Sequence, residues 1–171
     1  MNKHKLYLLA CLILPLALQA KVQLPDIISD NMVLQQSTRV KLWGVAKPNS
    51  QLTIKASWSV QTYSTHTGKD GKWSISVTTP EAGYEPQSLT FSDGEAVVIN
   101  NVLIGEVWFC SGQSNMEMPL NGFWNNPIMG TNEAIANAAS YKGLRFVNIP
   151  KTSALTPQET CPMYSIRQKP K

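Results

Sequence analysis

Histidine and cysteine are scarce in this sequence: two histidines, His4 and His66, and three cysteines among 171 residues. They form no metal-site spacing with the carboxylates, and there is no glycine-rich phosphate loop, so neither a metal nor a nucleotide cofactor is called for. Charge is also sparse, at 15% of residues against 43% apolar. That balance excludes a disordered or collagen-like chain and describes an ordinary core-forming one. The formal charge of +4 is concentrated at the ends, in Lys3, Lys5, Arg167, Lys169 and Lys171. Setting those five aside takes the body from +4 to −1. Without a basic stripe on the folded part, a nucleic-acid partner is excluded. Internal repeats and low-complexity tracts are absent. Beyond the first twenty residues no apolar run approaches the ~20 positions a transmembrane helix needs, so no membrane anchor is expected.

What is present begins with a leader. Residues 1–20 read as a secretory signal peptide: Lys3 and Lys5 form the charged start, Leu6 to Leu18 the apolar run, and Gln19-Ala20 a small-residue exit. Leu8-Leu9-Ala10-Cys11 has the outline of a lipoprotein cut, but Cys11 would leave hardly any apolar core before it. Cleavage after Ala20 is the expectation, with an exported, periplasmic or extracellular product. About 150 residues remain, one average domain by length. Cys110 and Cys161 are then the remaining thiols; their spacing does not demand a disulfide, and Cys110 reads as a buried free thiol in an apolar strand.

Residues 21–101 alternate with period two. Val40 and Leu42 alternate with Arg39 and Lys41; Leu52, Ile54 and Ala56 with Thr53, Lys55 and Ser57; Trp73, Ile75 and Val77 with Ser74, Ser76 and Thr78. These are half-buried strands. Turn chemistry separates them at Lys47 to Ser50, Gly68 to Lys72, Pro80 to Pro86 and Asp93-Gly94, with Asp70-Gly71 suited to a tight hairpin. The pattern predicts an antiparallel β-sandwich. After Asn101 the character changes. Val102 to Cys110 is a nearly continuous apolar run, as expected of a strand covered on both faces in an α/β sheet. A Gly-, Asn- and Ser-rich stretch follows from Ser111 to Asn126. A helix then runs from Thr131 or Asn132, either able to cap it, through Ala139, and a strand over Leu144 to Ile149 completes a first βαβ unit. Thr156 to Lys171 is irregular and basic. The expected organisation is a signal peptide at 1–20, a β-sandwich at 21–101 and a partial α/β domain at 102–171.

The segment that carries chemistry is Gly105-Glu106-Val107-Trp108-Phe109-Cys110-Ser111-Gly112-Gln113-Ser114-Asn115-Met116-Glu117-Met118. It puts Ser114 just past a buried strand, where open α/β sheets place their ligands. A serine there can act as a nucleophile, with its own backbone N–H helping to hold an oxyanion; the plainer alternative is that it caps a helix. Met116 occupies the position where the Gly-x-Ser-x-Gly elbow of α/β-hydrolases needs glycine, which disfavours that fold. No pairing of Asp26, Asp30, Glu106 and Glu117 has the context of a glycosidase acid and nucleophile. Trp43, Trp58, Trp73 and Trp108 fall in strand patterns and read as core, whereas Trp124 reads as a pocket rim.

As a whole, this segment resembles the nucleophile block of the sialate O-acetylesterases, a branch of the SGNH hydrolases. Leu24-Pro25, Ser29 to Gln35 and Val40 to Gly44 are similar to the N-terminal β-domain of that family, so the likeness spans Leu24 to about Thr156. The resemblance implies that Ser114 attacks an acetyl ester of a sugar such as sialic acid. Gln113 and Asn115 would then shape the pocket floor, while a glycine and an asparagine from later blocks complete the oxyanion hole and a downstream Asp/His pair activates the serine. The departure is plain: no histidine follows Ser114 here, and His66 reads as a solvated residue at a hairpin rim. These residues alone are therefore expected to be poor catalysts. Two alternatives are deacetylation of other carbohydrates such as xylan, and a secreted carbohydrate-binding β-sandwich without catalysis. N-terminal sequencing of exported material should begin at Lys21; a start at Cys11, or an intact leader, would refute that cleavage.

Overall fold

The computed structural model describes residues 21–124, 126, 128–163 and the backbone of 167–168; the proposed signal peptide lies outside them. The architecture is mostly β with few helices. Seven strands come first: β1 (Val33–Gln35), β2 (Arg39–Val45), β3 (Gln51–Ala56), β4 (Thr62–His66), β5 (Lys72–Thr78), β6 (Gly83–Ser92) and β7 (Ala96–Gly105). Two short helices follow, α1 (Ser114–Glu117) and α2 (Thr131–Asn137), the second continued by a 3₁₀ turn at Ala138–Ser140. A last pair, β8 (Arg145–Phe146) and β9 (Arg167–Gln168), is antiparallel.

Five strands form one sheet in the order β1-β7-β6-β3-β4, and β2 pairs with β5 in a separate ribbon. Their alternating apolar residues meet in one core. Leu52, Ile54, Leu89, Phe91, Ile99 and Val102 come from the large sheet, and Leu42, Trp73 and Val77 from the ribbon. Trp73 and Phe91 meet across it with ring centroids 5.8 Å apart. The segment before β1 seals one side: Val22 and Ile28 are buried, and Gln23 exchanges backbone hydrogen bonds of 2.7 and 2.9 Å with Val45.

Several details depart from the sequence reading. The pairing is not wholly antiparallel, because β1 joins β7 in parallel, with Val33 opposite Leu103 and Gln35 opposite Gly105. Asp70-Gly71 does make a tight turn, Gly71 having φ +79°, but the turn joins strands of different sheets rather than a hairpin. Pro86 falls inside β6, where register shifts between Gly83, Gln87 and Leu89 relieve the ladder of the N–H that proline lacks. β7 runs through Asn101, the point read as a change of character. Asn101 has φ +55°, which interrupts the alternation without ending the strand.

The apolar run after Asn101 divides in two. Val102, Leu103 and Ile104 are buried in β7, with Leu103 lying against the Gly143 and Tyr84 region on the face away from the core. Residues 106–110 form no strand among the described residues. Trp108 is 82% and Phe109 85% exposed, and Cys110 is an exposed free thiol rather than a buried one. The expected strand at 144–149 is reduced to Arg145–Phe146 and pairs antiparallel with β9, so no parallel βαβ unit is formed among the described residues. The physical reason is shared: a strand buried on both faces needs neighbours on its edges and layers above and below, and the described residues supply neither for 106–110.

Two substitutions test this packing. Phe91→Ala, which would empty a fully buried site against Trp73, should cost about 3–5 kcal/mol in denaturant unfolding. Gly44→Ala should cost about 1–3 kcal/mol, because its added methyl would meet the Gln23 carbonyl and the Trp73 ring.

Candidate active site

Ser114 is the first residue of α1, eight positions beyond Glu106, and residues 106–121 are all exposed. It is not the cap of that helix. Gln113 holds the cap position with φ −124° and ψ −146° and makes no side-chain cap bond; Met116 N–H donates to the Gln113 carbonyl at 2.9 Å. As a first-turn residue, Ser114 has an amide with no acceptor inside the helix, as an oxyanion donor needs. Gly112 lies just before, with φ +156°, and a side chain there would meet Met116 Cγ at 2.8 Å. The strand that leads to Ser114 ends at Gly105, not at Phe109 or Cys110 as the apolar run suggests.

Gln113 and Asn115 flank Ser114 on the same exposed segment. Trp124 is 93% exposed with φ +55°. Among the described residues, no side-chain hydrogen bond joins Gln113, Ser114 and Asn115 to one another, and Trp124 is not packed over them. α2 is capped by Gly130 in a left-handed conformation rather than by Thr131 or Asn132, and the buried Thr131 hydroxyl donates to the Leu120 carbonyl.

His66 ends β4, opposite Gln51 and exposed. β4 lies at the far edge of the large sheet from β1, three strand spacings from β7, or roughly 14 Å. Of the tryptophans read as core, Trp73 is buried, while Trp43 and Trp58 are half-buried against the core. The Trp58 indole donates to the Thr78 carbonyl at 3.0 Å and the Trp43 indole to the Glu159 carbonyl at 3.3 Å. Trp108 is the exception, because none of the described residues covers it. The irregular stretch near Glu159 lies across the ribbon, with Lys72 Nζ 2.9 Å from its carboxylate, which raises the lysine above its ordinary 10.5.

Apart from Glu106, the polar groups that organise this region were not singled out in the sequence. Glu106 accepts hydrogen bonds from the Gln35 carboxamide at 2.9 Å and the Gln36 carboxamide at 2.6 Å. Arg145 donates to the carbonyls of Met32 and Asn101 and, at 2.9 Å, to Asn101 Oδ1, while Asn101 Nδ2 donates to Asn31 Oδ1 at 2.7 Å. Burial lowers the Arg145 pKa, although a guanidinium stays charged throughout the physiological range. The signals that could have found these groups are the polar pairs Gln35-Gln36 and Asn100-Asn101, each set against an apolar strand.

No family model matches the chain. Sequence relatives do. A sialate O-acetylesterase from Pongo abelii is 26% identical over 158 residues, covering 84% of this chain and 29% of that protein. The corresponding Homo sapiens protein is 26% identical, covering 81% and 28%. The chain is similar to sialate O-acetylesterases. Among solved structures, a carbohydrate acetylesterase from Xanthomonas citri superposes with a TM-score of 0.72 at 27% identity, covering 86% of this chain and 32% of that one. The chain thus spans under a third of the length of these relatives. The resemblance read from the nucleophile block extends over most of the chain, and the proteins it is similar to are, by name, ester hydrolases.

The Gln35 carboxamide, seconded by Gln36, holds the Glu106 carboxyl below its ordinary 4.5. A depressed folded-state pKa contributes stability that is fully present above the unfolded value and is lost as pH falls through the folded one. The stability difference between wild type and Glu106→Gln should therefore be constant from pH 7 to pH 6 and change only below pH 4.5. A shift centred near neutrality in parallel denaturant titrations would contradict this assignment.

Proposed function

We propose that this chain is the β-unit and nucleophile segment of an exported serine esterase that releases acetate from O-acetylated sugars, sialic acids being the first substrate to test. The observation that carries this reading is Ser114 on its exposed helix start, inside a segment whose resemblance to sialate O-acetylesterases is matched by similarity along most of the chain. The proposed organisation is a β-sandwich followed by the opening of an SGNH hydrolase unit. In the proposed reaction, Ser114 Oγ attacks the acetyl carbonyl, the sugar leaves as its hydroxyl form, and water releases acetate from the acyl-serine. Gln113 and Asn115 would border the bound acetyl group, with Trp124 at its rim. Export is proposed from the leader at residues 1–20.

The chemistry needs a base that these residues do not provide. His66 belongs to the opposite sheet edge, and no other histidine lies outside the leader. Loss of a triad member costs ~10⁴–10⁶ in kcat where serine hydrolases have been dissected. Residues 21–171 should therefore release acetate from O-acetylated sialic acid and from acetylated xylan near the background rate. A form extended by a hydrolase segment bearing an Asp/His pair should turn over, and Ser114→Ala should abolish that turnover. Robust Ser114-dependent activity of residues 21–171 would show that the base is within them, and His66→Ala would then be the first variant to assay.

A second reading is favoured by one observation: every buried apolar residue among those described lies between Val22 and Ile104. The β-unit holds its own core, as a carbohydrate-binding module would. Saturable binding of that unit to a sugar array, with no acetate released by the extended form, would favour this reading.

A further inference from the structure

The chain leaves β7 at Gly105 and reaches Ser114 through residues 106–113, none of them in a strand or helix. Among the described residues, that passage is tied to the rest of the protein at its first two positions. Gln35 Nε2 donates to Glu106 Oε2 at 2.9 Å, and Gln35 Oε1 accepts from the Val107 amide at 2.9 Å. Gln36 Nε2 donates to Glu106 Oε1 at 2.6 Å, and Gln36 Oε1 accepts from the Ala82 amide at 2.8 Å. Both glutamines therefore use both ends of their carboxamides, and both carboxylate oxygens of Glu106 are engaged. Backbone bonds fix the bases of this grip: β1 pairs in parallel with β7 up to Gln35 and Gly105, and the Gln36 amide donates to the Gly105 carbonyl at 2.9 Å.

We propose that Gln35 and Gln36 are positioning residues for the nucleophile segment: by gripping Glu106 and the Val107 amide they set the direction in which the chain leaves β7, and with it where Ser114 is presented. Two of the stretches that carry the family resemblance, Ser29 to Gln35 and Gly105 to Met118, meet on this account in one latch, which Gln36 completes. The geometry gives the latch leverage. Ser114 stands eight residues beyond Glu106, an arm of at most about 26 Å, so a rotation of about 10° at the exit would displace its end by up to about 4.5 Å. A misplacement of about 1 Å can cost ~10²-fold in rate. The functional consequence rests on the reading of Ser114 as nucleophile; the latch itself does not.

A carboxylate–carboxamide exchange tests it. Gln35→Glu alone sets two carboxylates face to face, and Glu106→Gln alone opposes two amide donors. In the double variant the new carboxamide at 106 can accept from Gln36 and donate to the new carboxylate at 35, which still accepts from the Val107 amide, so all three bonds survive. Amide hydrogen exchange on the full chain at neutral pH should show the Val107 amide, which donates to Gln35 Oε1, exchanging on the order of tenfold faster in Gln35→Glu, and less so in Glu106→Gln. The amides of Leu52, Ile54 and Phe91 should be unchanged. The double variant should return to wild-type exchange, a rescue that general destabilisation would not produce. Unaltered exchange in both single variants, equal acceleration throughout the core, or a double variant no better than Gln35→Glu would each overturn the proposal. Because exchange is read without substrate, failure of the esterase reading, seen as turnover that survives Ser114→Ala, is distinguishable from failure of the latch.

Discussion

Burial of a single apolar cluster between the five-stranded sheet and the β2–β5 ribbon is the constraint on which the rest of this structure depends. Leu52, Ile54, Leu89 and Phe91 on one side and Leu42 and Val77 on the other are almost wholly removed from solvent. Each contributes about 1.5–3 kcal/mol relative to exposure. Among the described residues no ladder links ribbon to sheet, so side-chain packing, closed by Val22 and Ile28, holds the two together with hydrogen bonds from the Trp58 indole to the Thr78 carbonyl and from the Thr78 amide to the Tyr63 hydroxyl. The parallel contact of β1 with β7 then places the Gln35 and Gln36 side chains at the exit of β7.

Residues beyond Gly105 obey different energetics. None of their apolar side chains is buried among those described, and what fastens them to the β-unit is polar: Glu106 to Gln35 and Gln36, Arg145 to Met32 and Asn101, Glu159 to Trp43 and Lys72. Such bonds contribute about 0.5–1.5 kcal/mol each, more where a charge takes part. The segment that bears Ser114 therefore opens at lower free energy than the core beneath it. Val107, Trp108 and Phe109 on one stretch of chain, and Leu144 and Phe146 on another, expose apolar surface. Surface of that kind marks an association site or an aggregation liability.

The two parts of the chain differed in how legible they were. β2, β3 and β5 could be read from alternation, because one face of each strand meets the core and the other meets water, which the period-two pattern records directly. The turn at Asp70-Gly71 was equally plain, but which strands it joined was not: a turn signal specifies a local reversal, and β4 and β5 belong to different sheets. Val102 to Cys110 misled for a related reason. Apolarity shows that a residue gains by burial, not that a partner is present, and the run divides at Gly105 where the neighbours of β7 end.

The sequence by itself determined the β-unit's alternating strands, the position of Ser114 in a recognisable block and the lack of a histidine after it, since these depend on residue identity and local spacing. Tertiary structure alone decided that β1 pairs in parallel with β7, that Gln35 and Gln36 grip Glu106, and that Arg145 reaches back to Asn101. Glu106 lies about seventy positions from the two glutamines it meets, and Arg145 lies 44 from Asn101. Contacts at such separations leave no periodic trace in the sequence, because they arise only after the shared core has brought the strands into register.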